Sequence, residues 1–123
     1  MTLGDSAQTV RTFSAPDVAE YADLAGSAVQ TDAVPEPLIG ALFSFLLGTR
    51  LPGPGTKYLK QSLEFLAPAP LDVPLTAEVE IIRLRTDKHL VDLETTCRTP
   101  DGTLICRGRA LVQVADLVGS GRN

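Results

Sequence analysis

Tryptophan is absent from this chain of 123 residues, histidine occurs once and cysteine twice. His89, Cys97 and Cys106 are too few ligands for a zinc site within one chain, so Cys/His metal catalysis is excluded and no metal is expected. Aromatic residues make up 5%, and eleven basic residues are spread along a chain of net charge −4. That leaves neither a stacking platform nor a basic stripe for a nucleic-acid backbone, and no nucleic-acid partner is expected. Long apolar runs are also missing. Residues 38–47 form the most apolar stretch, but it is interrupted by Gly40 and Ser44 and falls well short of the ~20 residues that cross a bilayer. The opening MTLGDSAQTV has no charged segment followed by an apolar one, so it does not read as a signal peptide. These absences imply a cytoplasmic setting with no membrane partner.

What is present is ordinary for a globular domain: 44% hydrophobic and 21% charged residues. The length suits one domain with a real core, taken here as residues 1–123 with a frayed tail over 117–123. Residues 9–13 read as a short strand. Ser14 is placed as a helix N-cap, with Pro16 and Asp17 in the first turn and Val18, Tyr21, Ala22 and Ala25 on one face. Gly26 is a plausible stop, and 27–34 has no clear period and reads as a loop. Pro35-Glu36-Pro37 opens a second helix, since the amides of a first turn have no intrahelical partner anyway. From 37 to 47 this helix is apolar nearly all round, which predicts protein on most of its sides. Leu51-Pro52-Gly53-Pro54-Gly55 then forces a turn.

After Gly55 the pattern changes to strands, at 58–65, 75–84, 90–97 and 104–114. Turn signals separate them: Pro68-Ala69-Pro70, Thr86-Asp87-Lys88 and Thr99-Pro100-Asp101-Gly102. The fold class is therefore α+β, an antiparallel sheet wrapped around one apolar helix. The last hairpin fixes its own register. Setting Cys97 opposite Cys106 also sets Leu93 against Ala110 and Val91 against Val112, giving one apolar face. A slip by one would put Arg107 and Arg109 on that face. This register calls for an even loop of four residues, 100–103. Both cysteines are then buried thiols facing each other, reduced in a reducing compartment.

From about Phe13 to Val114 the chain resembles the MaoC-like (R)-specific enoyl-CoA hydratases. The resemblance rests on Leu42-Phe43-Ser44, Leu47-Gly48, Leu51-Pro52-Gly53-Pro54-Gly55, Tyr58-Leu59-Lys60-Gln61-Ser62-Leu63 and Leu75-Thr76-Ala77-Glu78-Val79, in that order and spacing. It implies a hotdog fold, a dimer with itself or with another hotdog subunit, and an acyl thioester bound beside the central helix. The substrate would be an acyl-CoA or acyl-carrier-protein, with CoA or phosphopantetheine as part of it and no separate cofactor. In the family an amide at the start of this helix polarises the thioester carbonyl; counting back from Ser44, that position falls at Glu36.

The chain departs from the family where the chemistry is done. The family's Asp-x-Asn-Pro-x-His segment, whose Asp and His hold and activate water, has no counterpart here. Leu24-Ala25-Gly26-Ser27 puts Ser27 at the Asp position, and the remainder is missing. Pro35-Glu36-Pro37 replaces the family's His-Gly-Met, and His89 matches no catalytic histidine. Glu36 becomes the first candidate base, its bland reading being a carboxylate that complements the helix dipole. Asp32 is the second candidate, or else a solvated or capping loop residue. Ser44, Tyr58 and Lys60 are candidate substrate contacts. Ser44 is equally a small residue allowing close packing, and the other two, read as sharing one strand face, equally form a polar outer surface. Three functions stay open: a hydratase or dehydratase of fatty-acid or polyketide-type metabolism with a rearranged acid/base, a tunnel-forming subunit lent to a catalytic hotdog partner, and a hotdog thioesterase.

Overall fold

The computed structural model describes residues 1–25 and 33–114. Along the chain run β1 (Ser6–Arg11), α1 (Ala15–Ala25), α2 (Glu36–Thr49), β2 (Lys57–Phe65), β3 (Leu75–Arg85), a single 3₁₀ turn (Thr86–Lys88), β4 (Leu90–Arg98) and β5 (Leu104–Gln113). The strands form one antiparallel sheet in the order β1-β3-β4-β5-β2, curled around α2. The expected α+β architecture is present. The expected Gly26 stop, most of the 27–34 loop and the 117–123 tail lie outside the described residues.

Helix α1 starts where the capping pattern placed it. The Asp17 N–H donates to Ser14 Oγ at 3.3 Å, and the Ser14 N–H donates to the Asp17 carboxylate at 2.9 Å. Two amides that a helix start leaves without partners are thereby satisfied. The first strand lies earlier than residues 9–13. β1 pairs from Ser6 with Glu80 to Arg11 with Leu75, and its end is set by what β3 can pair with. Phe13, past that end, turns into the core instead, and its carbonyl accepts the Asp72 N–H at 2.8 Å.

Helix α2 buries Ile39, Leu42, Phe43, Leu46 and Leu47, a stripe at helical spacing. Against it the sheet turns Leu75, Ala77, Val79 and Ile81 from β3, Val91 and Leu93 from β4, and Ala110 and Val112 from β5. Each large apolar side chain so enclosed contributes ~1.5–3 kcal/mol. The apolar helix is nonetheless covered on one side only. Ala41, Ser44, Phe45 and Gly48 are exposed, with Phe45 at 47%, because one five-stranded sheet cannot enclose a helix.

The hairpin register agrees with the sequence: Cys97 faces Cys106, Leu93 faces Ala110 and Val91 faces Val112. Its loop does not. β4 ends at Arg98 and β5 resumes at Leu104, with Arg98 paired to Leu104 while Cys97 is paired to Cys106. The extra residue, Ile105, bulges and is buried, and its carbonyl accepts the Leu66 N–H at 2.8 Å. An odd connection, 99–103, absorbs that bulge without changing the face of any other residue.

Candidate functional site

A proline pair at a helix start limits which amides can meet a ligand. Pro37 has none, and the Leu38 N–H is taken by the Pro35 carbonyl at 3.0 Å. Among the described residues, nothing accepts from the Glu36 amide, the one the resemblance assigned to a thioester carbonyl. The helix dipole places partial positive charge at the same point.

The Glu36 end of α2 borders a cleft of about 560 Å³, lined by residues 33–36 on one side and 65–69 on the other. The two walls are joined by the Val34 N–H donating to the Ala69 carbonyl at 2.9 Å, and the second wall is held to β5 through Ile105. Phe65, Leu66, Ala67 and Ala69 make that wall apolar, and Glu36 is the only titratable side chain among the described residues lining the cleft. A recess with one apolar wall, one carboxylate and, at its rim, one backbone amide without an acceptor among the described residues can hold a small carbonyl compound with its reacting end at the helix start.

Directly behind lies the thiol pair. Phe65 faces Cys106 across β2 and β5, and Cys106 faces Cys97 across β5 and β4. Both cysteines are fully buried and free. Burial, and then the neighbouring Cys106, pushes the Cys97 thiol up to about 11; burial, and then the charge of Glu36, pushes the Cys106 thiol up to about 11. Both are neutral and inert at physiological pH. An unfolded thiol ionises near 8.5–9, so above that pH the unfolded chain sheds protons that the folded one retains. The thiols' contribution to stability is therefore complete well below pH ~8.5, falls as pH rises toward about 11, and levels once the folded thiols ionise too. Urea midpoints taken between pH 8 and 11 should show this fall, shallower in Cys106→Ala than in the wild type. Alkylation without reductant should leave both thiols unmodified in the folded protein and modify both once it is denatured.

Of the residues singled out from the sequence, only Glu36 is brought to the cleft. Asp32 lies outside the described residues. Ser44 is exposed on the uncovered face of α2, two turns along from Glu36. Tyr58 and Lys60 do not share a strand face. Tyr58 pairs with Val112 and Lys60 with Leu111, so Leu59 bulges and the alternation skips a step. Tyr58 takes the side of the buried Val112, while Lys60 takes the solvent side. His89 lies beyond the Leu90 end of β4, and the cleft lies toward the Cys97 end, roughly 25 Å away at ~3.3 Å per strand residue. The sequence reading missed the wall at 65–69. Pro68-Ala69-Pro70 signalled a turn correctly, but only its hydrogen bond to Val34 makes it part of a site.

A curved antiparallel sheet around one helix, with a cleft at the helix start, defines a hotdog protein. The same architecture is seen in a hot-dog-like protein from Thermanaerovibrio acidaminovorans, which superposes with a TM-score of 0.65 at 19% identity over 98% of this chain and 87% of that one. Sequence similarity is more specific. The chain is 36% identical to an (R)-specific enoyl-CoA hydratase of Aeromonas caviae over 93% of its own length and 96% of the relative's. It is 35% identical to the (R)-specific enoyl-CoA hydratase of Rhodospirillum rubrum, over 90% of this chain and 86% of that one. The solved Aeromonas caviae (R)-hydratase, described as involved in PHA biosynthesis, matches with a TM-score of 0.83, covering 93% of this chain and 97% of that one. No family model matches the chain. The chain belongs to the family of (R)-specific enoyl-CoA hydratases.

Proposed function

We propose that this protein binds an acyl thioester, as an acyl-CoA or an acyl-carrier-protein, and hydrates or dehydrates it with Glu36 in place of the usual Asp and His. The carrying observation is that Glu36 is the only titratable side chain lining the cleft at the helix start, among the described residues. Its amide polarises the thioester carbonyl, and its carboxylate takes a proton from water. The hydroxide adds at C3 as the C2–C3 π bond opens, the enolate collects on the carbonyl oxygen beside the amide, and the carboxylic acid returns its proton to C2.

A specific observation favours a second reading, that of a subunit lending its cleft to a catalytic hotdog partner. The sole histidine is at the far end of β4 and cannot reach this cleft. A partner would also cover what one chain leaves bare. The α2 face around Phe45 and the open edge of β2, with Tyr58 at 43% and Leu59 at 49% exposure, suit a second copy or a related chain in a side-by-side dimer. The setting is the cytoplasm, where the buried thiols stay reduced.

A panel of enoyl-, 3-hydroxyacyl- and saturated acyl-CoA thioesters, assayed with and without co-expressed hotdog partners, tests both readings. Slow hydration by the lone chain supports the first, and activity only on adding a partner supports the second. Release of free CoA thiol from saturated substrates would instead identify a thioesterase. Neither binding nor turnover of any thioester, alone or with partners, would overturn the assignment.

A further inference from the structure

We propose that the solvent face of the sheet carries an anion-binding groove for a phosphate-bearing ligand, built from Lys60, Arg109 and Arg85. One row across the sheet on this face reads Lys60, Leu111, Asp92, Arg83, each paired with the next across β2, β5, β4 and β3. Arg109 stands in the neighbouring row of β5, opposite Glu94 of β4. Between Lys60, Arg85, Asp92 and Arg109 the surface sinks into a recess of about 310 Å³, and it continues past Arg83 and Glu94 into a second of about 300 Å³. Four cations thus face two carboxylates in a chain whose net charge is −4. The excess is confined to the recesses, because Arg109's own row runs on through Glu94 to Glu80, outside them, and the next row, with Glu64, Arg107 and Glu78, also carries more acid than base.

The cations differ in how they are held. Arg85 donates from Nη2 to Asp92 at 2.8 Å, with both side chains largely covered, so this guanidinium is fixed before any ligand arrives. Its Nε is enclosed with no acceptor among the described residues, so the guanidinium keeps hydrogen-bonding capacity that Asp92 does not use. Lys60 and Arg109 are exposed and reach in from β2 and β5, with Leu111 forming the floor between Lys60 and Asp92. A fixed guanidinium with two mobile cations around an apolar floor suits a compact anion with several oxygens, such as a phosphate monoester or diphosphate. The groove lies on the face of the sheet opposite the cleft, so it does not depend on the thioester reading. If that reading holds, the nucleotide end of CoA is one source of the phosphates and free phosphate the other.

Calorimetric titration of the intact protein with inorganic pyrophosphate at low ionic strength tests the groove directly. We expect saturable binding of one anion per chain, weakened by added salt and reduced at least tenfold in the Lys60→Gln/Arg109→Gln double variant. Both side chains are exposed, so that variant should keep the wild-type melting temperature, and Arg98→Gln, at the far end of β4, should bind as wild type. Tighter binding of 3′,5′-ADP than of pyrophosphate would assign the site to the nucleotide end of CoA; equal binding would assign it to free phosphates. No saturable heat with either probe, or binding unchanged in the double variant, would overturn the proposal.

Discussion

Replacing Gly108 with alanine is expected to detach β2 from β5 and lower stability by on the order of 3 kcal/mol or more. Gly108 pairs with Leu63 of β2 on one side and Thr95 of β4 on the other. A Cβ at this position would sit 1.9 Å from the Ser62 carbonyl oxygen, 2.9 Å from its carbon and 3.0 Å from the Leu63 Cα. All three are backbone atoms, so no rotamer change relieves the overlap; the strand itself must move. Against a typical total of ~5–15 kcal/mol the loss is severe. Because β2 leads directly into the wall at 65–69, the cleft should fail together with the fold. Urea denaturation of Gly108→Ala, with Phe65-side hydrogen exchange as a second readout, measures both. A midpoint equal to that of the wild type would show that β2 does not approach β5 this closely.

Glu36→Gln should remove whatever thioester hydration the lone chain performs, by ~10²–10⁴-fold, the usual cost of a missing proton-transfer group. Glutamine keeps the shape, the backbone amide and the exposed position at the helix start, so the fold and thioester binding should persist. The expected signature is a fall in kcat with little change in KM. If the chain instead lends its cleft to a partner, the substitution should matter little, and activity should follow the partner's own acid and base. Wild-type hydration by the lone chain that is undiminished in Glu36→Gln would contradict both accounts of this cleft. The starting rate itself should be low, because a single carboxylate must both take the proton from water and deliver it to carbon.

The register of the last hairpin was legible because it depends on a local choice. Two sets of residues compete for one face, and placing Arg107 and Arg109 there would cost far more than placing Cys106 and Ala110. The α1 start was legible for the same kind of reason, since Ser14 and Asp17 satisfy one another within a single turn. The three bulges, at Leu59, Ile82 and Ile105, were not. Nothing local to Tyr58-Leu59-Lys60, to Ile81-Ile82-Arg83 or to Leu104-Ile105-Cys106 announces that one residue leaves the alternation; pairing with neighbouring strands decides it. That is why Tyr58 and Lys60, read as one surface, lie on opposite sides of the sheet.

The candidate site divides in the same way. The apolar central helix, the Pro35-Glu36-Pro37 start, the lack of a second histidine and the likeness to the hydratases were fixed by residue identity and spacing within short segments, where capping, helical period and side-chain inventory act directly. Only the tertiary structure decided that Glu36 lines a cleft and Ser44 does not, that Phe65 and Ala69 form the opposing wall, and that the thiol pair stands behind it. It also gathered Lys60, Arg85 and Arg109 from three strands into one groove. These are contacts between segments distant in the chain, settled by strand order, register and the curl of the sheet, which no local pattern encodes.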